Sequence, residues 1–171
     1  MFSKKNLGKT LKSQAKRLGA CDKGLDNLER LNEQELINRY VHFIDFAISA
    51  QFPSNDFIKE NFSEELLHHN NIYVDSFVER RNARQIVVIQ GKSYGNLYYD
   101  GYNTADVYVR HDSDIVIDCT RMSKIFISVY DNAKVKVIQR DGASVYVYTH
   151  GDKCKVETEG EVLIRKNANK N

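Results

Sequence analysis

Residues 124–149 read KIFISVYDNAKVKVIQRDGASVYVYT, and this stretch decides the fold. Ile125 and Ile127, Val135 and Val137, then Val145 and Val147 alternate with polar or aromatic neighbours, the period-two pattern of strands with one buried face. Asp131-Asn132 and Asp141-Gly142 interrupt the alternation with turn dipeptides. Outward from here the pattern repeats. A small residue, any residue, then an aliphatic occurs seven times, beginning at Gly95, Ala105, Ser113, Ser123, Ala133, Ala143 and Cys154. The spacings are 10, 8, 10, 10, 10 and 11 residues. Fixed-period self-similarity of this kind points to a repeat architecture.

Two folds produce such a repeat. One is an antiparallel meander packed on helices, for which Asp-Gly between alternating strands is a hairpin signal. The other is a β-solenoid, or β-roll, with two strand-turn units per coil. The inward positions Val107, Val109, Ile115, Ile117, Ile125, Ile127, Val135, Val137, Val145 and Val147 are all medium aliphatics. A thin core between two stacked sheets wants that uniformity, so the solenoid is favoured. The class is therefore α+β, with a helical N-terminal region followed by the repeat. Stacking alternate units puts Tyr98, Val116, Lys136 and Glu157 on one outer face. The other carries an aromatic ladder, Tyr108, Phe126 and Tyr146, with Arg110, Ser128 and Tyr148 beside it. Either the apolar face of a helix covers that ladder, or Tyr108, Phe126, Tyr146 and Tyr148 meet a partner.

The N-terminal part follows a helical period. Asn32 and Glu35 form a capping-box pair ahead of a helix over 33–50, whose apolar face is Leu36, Tyr40, Phe43, Ile44, Ala47 and Ile48. Pro53 ends it, Ser54 can cap a short helix carrying Phe57, Ile58 and Phe62, and Ser63 precedes another turn. Residues 1–24 form a basic amphipathic arm. Lys5, Lys9, Lys12 and Lys16 make one stripe of a helix, with Leu7, Leu11, Ala15 and Leu18 on another. Three segments result: the arm (1–24), a small helical region (25–71) and the β-repeat (72–171).

Charge follows this division. The arm carries +6 and the remainder −4, against a total of +2. That asymmetry suits a polyanion reached through the four lysines, without the residues that read bases. With 42% hydrophobic and 28% charged residues, the composition is that of a globular domain. No run approaches the roughly 20 apolar residues of a membrane span, and the N-terminus lacks the apolar core of a signal peptide. Three well-separated cysteines fit a reducing compartment better than a disulfide framework.

The chain carries few groupings of residues that suggest chemistry. No Walker loop, dinucleotide fingerprint, nucleophile elbow or zinc-type Cys/His spacing is present. His42 and Asp45 share a helix face without a group to orient the imidazole, and His68 and His69 diverge by about 100° on a helix. Cys119 and Cys154 share parity with the inward aliphatics. Asp100, Asp112, Asp131, Asp141 and Asp152 fall at turns, where aspartate is favoured for backbone reasons. The expectation is no enzyme, no cofactor and no metal.

The repeat, above all SVYDNAKVKV at 128–137, resembles the short-period β-solenoids of bactofilin-like and other polymer-forming proteins across about 95–165. YVHFIDFAISAQFPSNDFIKENF at 40–62, followed by the β tail, resembles small uncharacterised proteins of gut bacteria and their phages and prophages. The resemblance implies a solenoid and offers no activity to transfer. The functional expectation is a structural or interaction protein, cytoplasmic or virion-associated, of phage or mobile-element origin. Its contacts would be its basic arm and its aromatic face. The alternatives are a nucleic-acid accessory protein without sequence preference and a small-molecule binder. Charges at Glu157, Glu159, Glu161, Arg165, Lys166 and Lys170 oppose end-to-end growth, so a closed homo-oligomer is expected.

Overall fold

The computed structural model describes residues 4–167, with side chains from residue 7 onward. Two compact units divide the chain, residues 1–70 and 71–171.

The second unit is a β-solenoid of about five turns. Among the described residues eleven strands form two sheets, and every pairing is parallel. The odd strands make one sheet: β1 (Ile72–Val74), β3 (Gln85–Gln90), β5 (Thr104–Val109), β7 (Lys124–Tyr130), β9 (Ser144–His150) and β11 (Val162–Asn167). The even strands make the other: β2 (Phe77–Arg81), β4 (Tyr94–Tyr99), β6 (Asp114–Cys119), β8 (Lys134–Gln139) and β10 (Lys155–Glu159). In the central coils each residue pairs with its equivalent one full coil on, as in Thr104 with Lys124, Lys124 with Ser144 and Asp114 with Lys134. The meander is excluded by this parallel register.

Parallel sheets are usually covered on both faces and read as continuous apolar runs. From β5 through β9 the strands alternate, because only the inner faces meet, whereas β1 and the second half of β3 are buried at successive positions. Val107, Ile115, Ile117, Ile125, Ile127, Val135, Val137, Val145 and Val147 are all buried in one core. Each contributes roughly 1.5–3 kcal/mol on full burial.

The corners explain the period of the repeat. Gly91, Gly101, His111, Arg121, Asp131, Asp141 and Gly151, evenly spaced along the chain, all have positive φ. Left-handed backbone costs a non-glycine residue about 1–2 kcal/mol, and neighbouring coils offset it with hydrogen bonds. The His111 N–H donates to Asp131 Oδ2 at 3.0 Å, and the Gly91 N–H donates to His111 Nδ1 at 3.1 Å. Just beyond these positions, Ser93, Ser113, Ser123, Ala133 and Ala143 are buried where the chain folds back. Ser93 Oγ donates to the Gln90 carbonyl at 2.8 Å and Ser123 Oγ to that of Thr120 at 3.0 Å.

The phase of the first two units needs correction. Gly95 and Ala105 are not corner residues. They stand in strands, paired with Ile115 and Ile125, at inward positions. The corner places belong to Ser93 and Asn103, whose carbonyls accept from Asp114 and Lys124 of the next coil. The one short spacing in the sequence pattern is thus a slip of phase, and the period is constant throughout these coils. Gly95 is required for another reason: a Cβ there would lie 2.0 Å from the Val78 carbonyl oxygen.

The first unit is helical: α1 (Lys4–Arg17), α2 (Asp22–Leu25), a 3-10 turn (Leu28–Arg30), α3 (Glu33–His42), α4 (Ile44–Ser49), α5 (Asn55–Asn61) and α6 (Glu64–His69). The arm packs at home. Leu7, Leu11 and Ala15 are buried, and Gly8 lies so close to the 3-10 turn that a Cβ would sit 2.1 Å from the Leu28 carbonyl oxygen. Leu18, expected on the same stripe, is 48% exposed because α1 stops at Arg17. The capping box forms, with Asn32 Oδ1 accepting from the Glu35 N–H at 3.0 Å and Glu35 Oε2 from the Asn32 N–H at 2.8 Å. The helix expected over 33–50 breaks at Phe43, whose φ of −108° and ψ of 36° leave the helical region and separate α3 from α4. Leu36, Ile37, Ile44 and Ala47 are buried from the two pieces. Ser54 and Ser63 cap α5 and α6. Arg39 Nη1 donates to the carbonyls of Lys23, Gly24 and Asp26 at 2.7–3.2 Å, tying the end of α2 to α3.

The corner packing is testable. Ala133 is fully buried, so Ala133→Leu forces extra carbon atoms into a filled corner, with an expected loss of about 1–3 kcal/mol. Lys134→Leu at the neighbouring exposed position should change stability by no more than about 0.5 kcal/mol. Urea unfolding midpoints of the two variants check the difference.

Candidate interaction surface

In a parallel ladder of constant register, equivalent side chains on neighbouring strands lie about 4.8 Å apart, which is also ring-stacking distance. The outer face of the odd-strand sheet uses this. Its register aligns three columns: Ile86, Asp106, Phe126, Tyr146 and Leu163; Val88, Tyr108, Ser128, Tyr148 and Arg165; and, shorter, Tyr130, His150 and Asn167. Phe126 and Tyr146 stack with centroids 5.1 Å apart and planes 14° from parallel, and Lys124 Nζ lies 5.5 Å and 6.0 Å from their centroids. Tyr130 and His150 stack at 4.1 Å and 11°.

The expected ladder is therefore two columns. Tyr108 pairs with Ser128 and shares its column with Tyr148, while Phe126 and Tyr146 stack in the column beside it. All four rings are half-buried, as are Tyr130 and His150. Arg110 is no surface group: it is 4% exposed, and its Nη1 donates to Gln90 Oε1 at 3.5 Å. The outward parity that placed Phe126 and Tyr146 also holds for Tyr130 and His150, and continuing the reading along each strand would have found them.

The even-strand face is charged further along and aromatic at its start. Lys136 and Glu159 pair at 2.6 Å, which raises the lysine pKa through that hydrogen bond, and Arg140 pairs with Asp118. At the start of this sheet Phe77 and Tyr94 lie 5.5 Å apart and are 53% and 58% exposed. Arg81 lies over the Tyr98 ring at 4.8 Å. The repeat places Tyr98 on this face, but Phe77 and Tyr94 fall outside it because β2 precedes the regular coils: Phe77 pairs with Tyr94 across a shorter coil than the central ones.

The basic stripe is interrupted. Lys12 Nζ donates to Glu29 Oε2 at 2.8 Å, and that contact holds the Glu29 carboxyl below its ordinary pKa. Lys9 and Lys16 are exposed; the Lys5 side chain and Lys170 lie outside the described residues.

The turn aspartates are engaged in the corners. Asp131 accepts from the His111 N–H, Asp141 from Thr120 Oγ1 at 2.9 Å and Asp112 from Asn132 Nδ2 at 3.1 Å. Among the described residues, no three His, Cys, Asp or Glu side chains converge as metal ligands. Burial, then Asp118, pushes the Cys119 thiol up to about 12, so it stays protonated at neutral pH. Cys154 is half-buried and Cys21 exposed. His42 meets the Phe43 ring edge-on at 4.7 Å, and His68 lies 3.6 Å from Glu64. No described helix is long and apolar enough to cross a membrane. No family model, curated protein or solved structure matches the chain.

Two imidazoles respond to pH. Burial, then Arg110, lowers the His111 pKa, with Asp131, Asp112 and Asp75 acting in the opposite sense; burial alone lowers that of His150. The Gly91 N–H donates to His111 Nδ1, a bond only the unprotonated nitrogen can accept. The unfolded chain thus takes up protons first on acidification. Stability is complete above the ordinary histidine value of 6.5 and falls as pH drops from there toward the lower folded values. The thermal midpoint should decline between pH 7 and 5.5. His111→Asn, which keeps an acceptor and tolerates left-handed backbone, should flatten part of the slope.

Proposed function

We propose that this chain is a non-enzymatic structural or interaction protein whose solenoid is a rigid scaffold for a contact face. The observation that carries this reading is the outer face of β5, β7 and β9. There the constant register stacks Phe126 on Tyr146 and Tyr130 on His150, with Tyr108 and Tyr148 between them. A preorganised, aromatic-rich surface suits a protein partner or a second copy in a closed oligomer, because rigid rings lose little conformational entropy on contact. A mobile-element origin belongs to the same proposal, and neighbouring virion genes would corroborate it. Lys9, Lys16 and Arg17, exposed on α1, support a second reading as an accessory protein binding nucleic acid without sequence preference.

Light scattering coupled to size exclusion tests the contact face. The expected result is a discrete mass above that of the monomer, invariant with concentration, and a monomeric but folded Phe126→Glu variant. A monomeric wild type, an open-ended polymer, or an unfolded Phe126→Glu variant would contradict the self-assembled form. For the second reading, a low-salt gel shift should weaken steeply with added salt, with a logarithmic slope near −0.9 for each duplex phosphate contacted. No shift at low salt ends it.

A further inference from the structure

We propose that the outer face of β2 and β4 is a platform for a neutral saccharide chain. Its residues are outside the aromatic columns considered above. Register sets Phe77 beside Tyr94, Glu79 beside Asn96 and Arg81 beside Tyr98. Val78 and Leu97, of opposite parity, are fully buried, so these three pairs face outward. Successive pairs are about 7 Å apart along the strands, which puts the ring pair and the guanidinium-capped Tyr98 roughly 13 Å from each other.

Exposure sets this group apart. The rings on the odd-strand sheet are half-buried, whereas Phe77 and Tyr94 each present more than half of their surface to water. Exposed neighbouring rings edged by hydrogen-bonding groups mark a binding surface. The polar edge defines what fits. Asn96 Nδ2 donates to Glu79 Oε2 at 3.3 Å, and Arg81 is held over Tyr98. Amide, carboxylate and guanidinium together offer donors and acceptors within a few ångströms of an aromatic surface.

A sugar ring has the matching shape, an apolar C–H face bounded by hydroxyls that both donate and accept. Charge selects a neutral chain over a polyphosphate. The two strands present one anion, Glu79, and one cation, Arg81, on this face, and Asp114, which follows Tyr94 in the same column, is paired with Lys134 at 3.9 Å. A phosphate backbone laid on the rings would find no surplus of positive charge to hold it, while an uncharged chain suits a balanced surface.

Affinity electrophoresis of the full chain in native gels containing hydroxyethylcellulose, galactomannan, xyloglucan or dextran tests the assignment. At least one should retard the protein. Phe77→Ala and Tyr94→Ala should each weaken that retardation about three- to tenfold, Arg81→Gln should weaken it as well, and Tyr146→Ala should leave it unchanged. Circular dichroism melts establish that the variants are folded, and Arg81→Gln decides the matter if a ring variant is not. The proposal is overturned if none of the four retards the wild type. It is also overturned if folded Tyr94→Ala and Arg81→Gln are retarded as strongly as wild type, or if oligothymidylate binds this face and the polysaccharides do not.

Discussion

The structure of the second unit depends on the left-handed residue that recurs at every corner. It reverses the chain in a tight turn and fixes strand length. Two such corners make one coil, and only a constant coil length lets every strand pair in parallel with its equivalent above and below. Buried small residues, corner hydrogen bonds and an inner face of valine and isoleucine all follow from that geometry. Where the coil is shorter, as between β2 and β4 or between β9 and β11, the regular columns change character.

Non-glycine residues at these corners carry a conformational cost that the stack itself offsets. His111 and Asp131 each hold backbone of the coil before them, so a corner is stabilised by its neighbour as well as by its own dihedral angles. The same in-register stacking acts on the outer faces. It brings Phe126 onto Tyr146 and Tyr130 onto His150 without any further specificity in the chain. One constraint thus sets core, corners and surface.

Much of this was legible in the amino-acid order. Alternating Ile and Val, turn dipeptides and a nearly constant spacing identify the solenoid, because its elements are local in sequence. Asn32 and Glu35 identify a helix start for the same reason. What was illegible depends on registration or tertiary contact. A small residue inside a strand, such as Gly95 or Ala105, imitates a corner residue until pairing is known. The break at Phe43 lies within an uninterrupted apolar period, which gives no local warning of it. The Lys12–Glu29 pair joins α1 to the 3-10 turn and so removes one lysine from a stripe that helical geometry alone treats as uniform. Tyr108 shares parity with Phe126 but not its column, and parity was all the pattern provided.

The two-strand coil also sets the grain size at which this chain can change length. Removing or duplicating one whole coil, from a corner to its equivalent a full turn away, returns every side chain to its own sheet and column and leaves the corners in step. Removing half a coil keeps inward residues inward but transfers everything downstream to the opposite sheet. The stacked rings would then continue the charged face. Evolutionary drift in length is therefore quantised, and relatives of different size should differ by whole coils rather than by single strand-turn units.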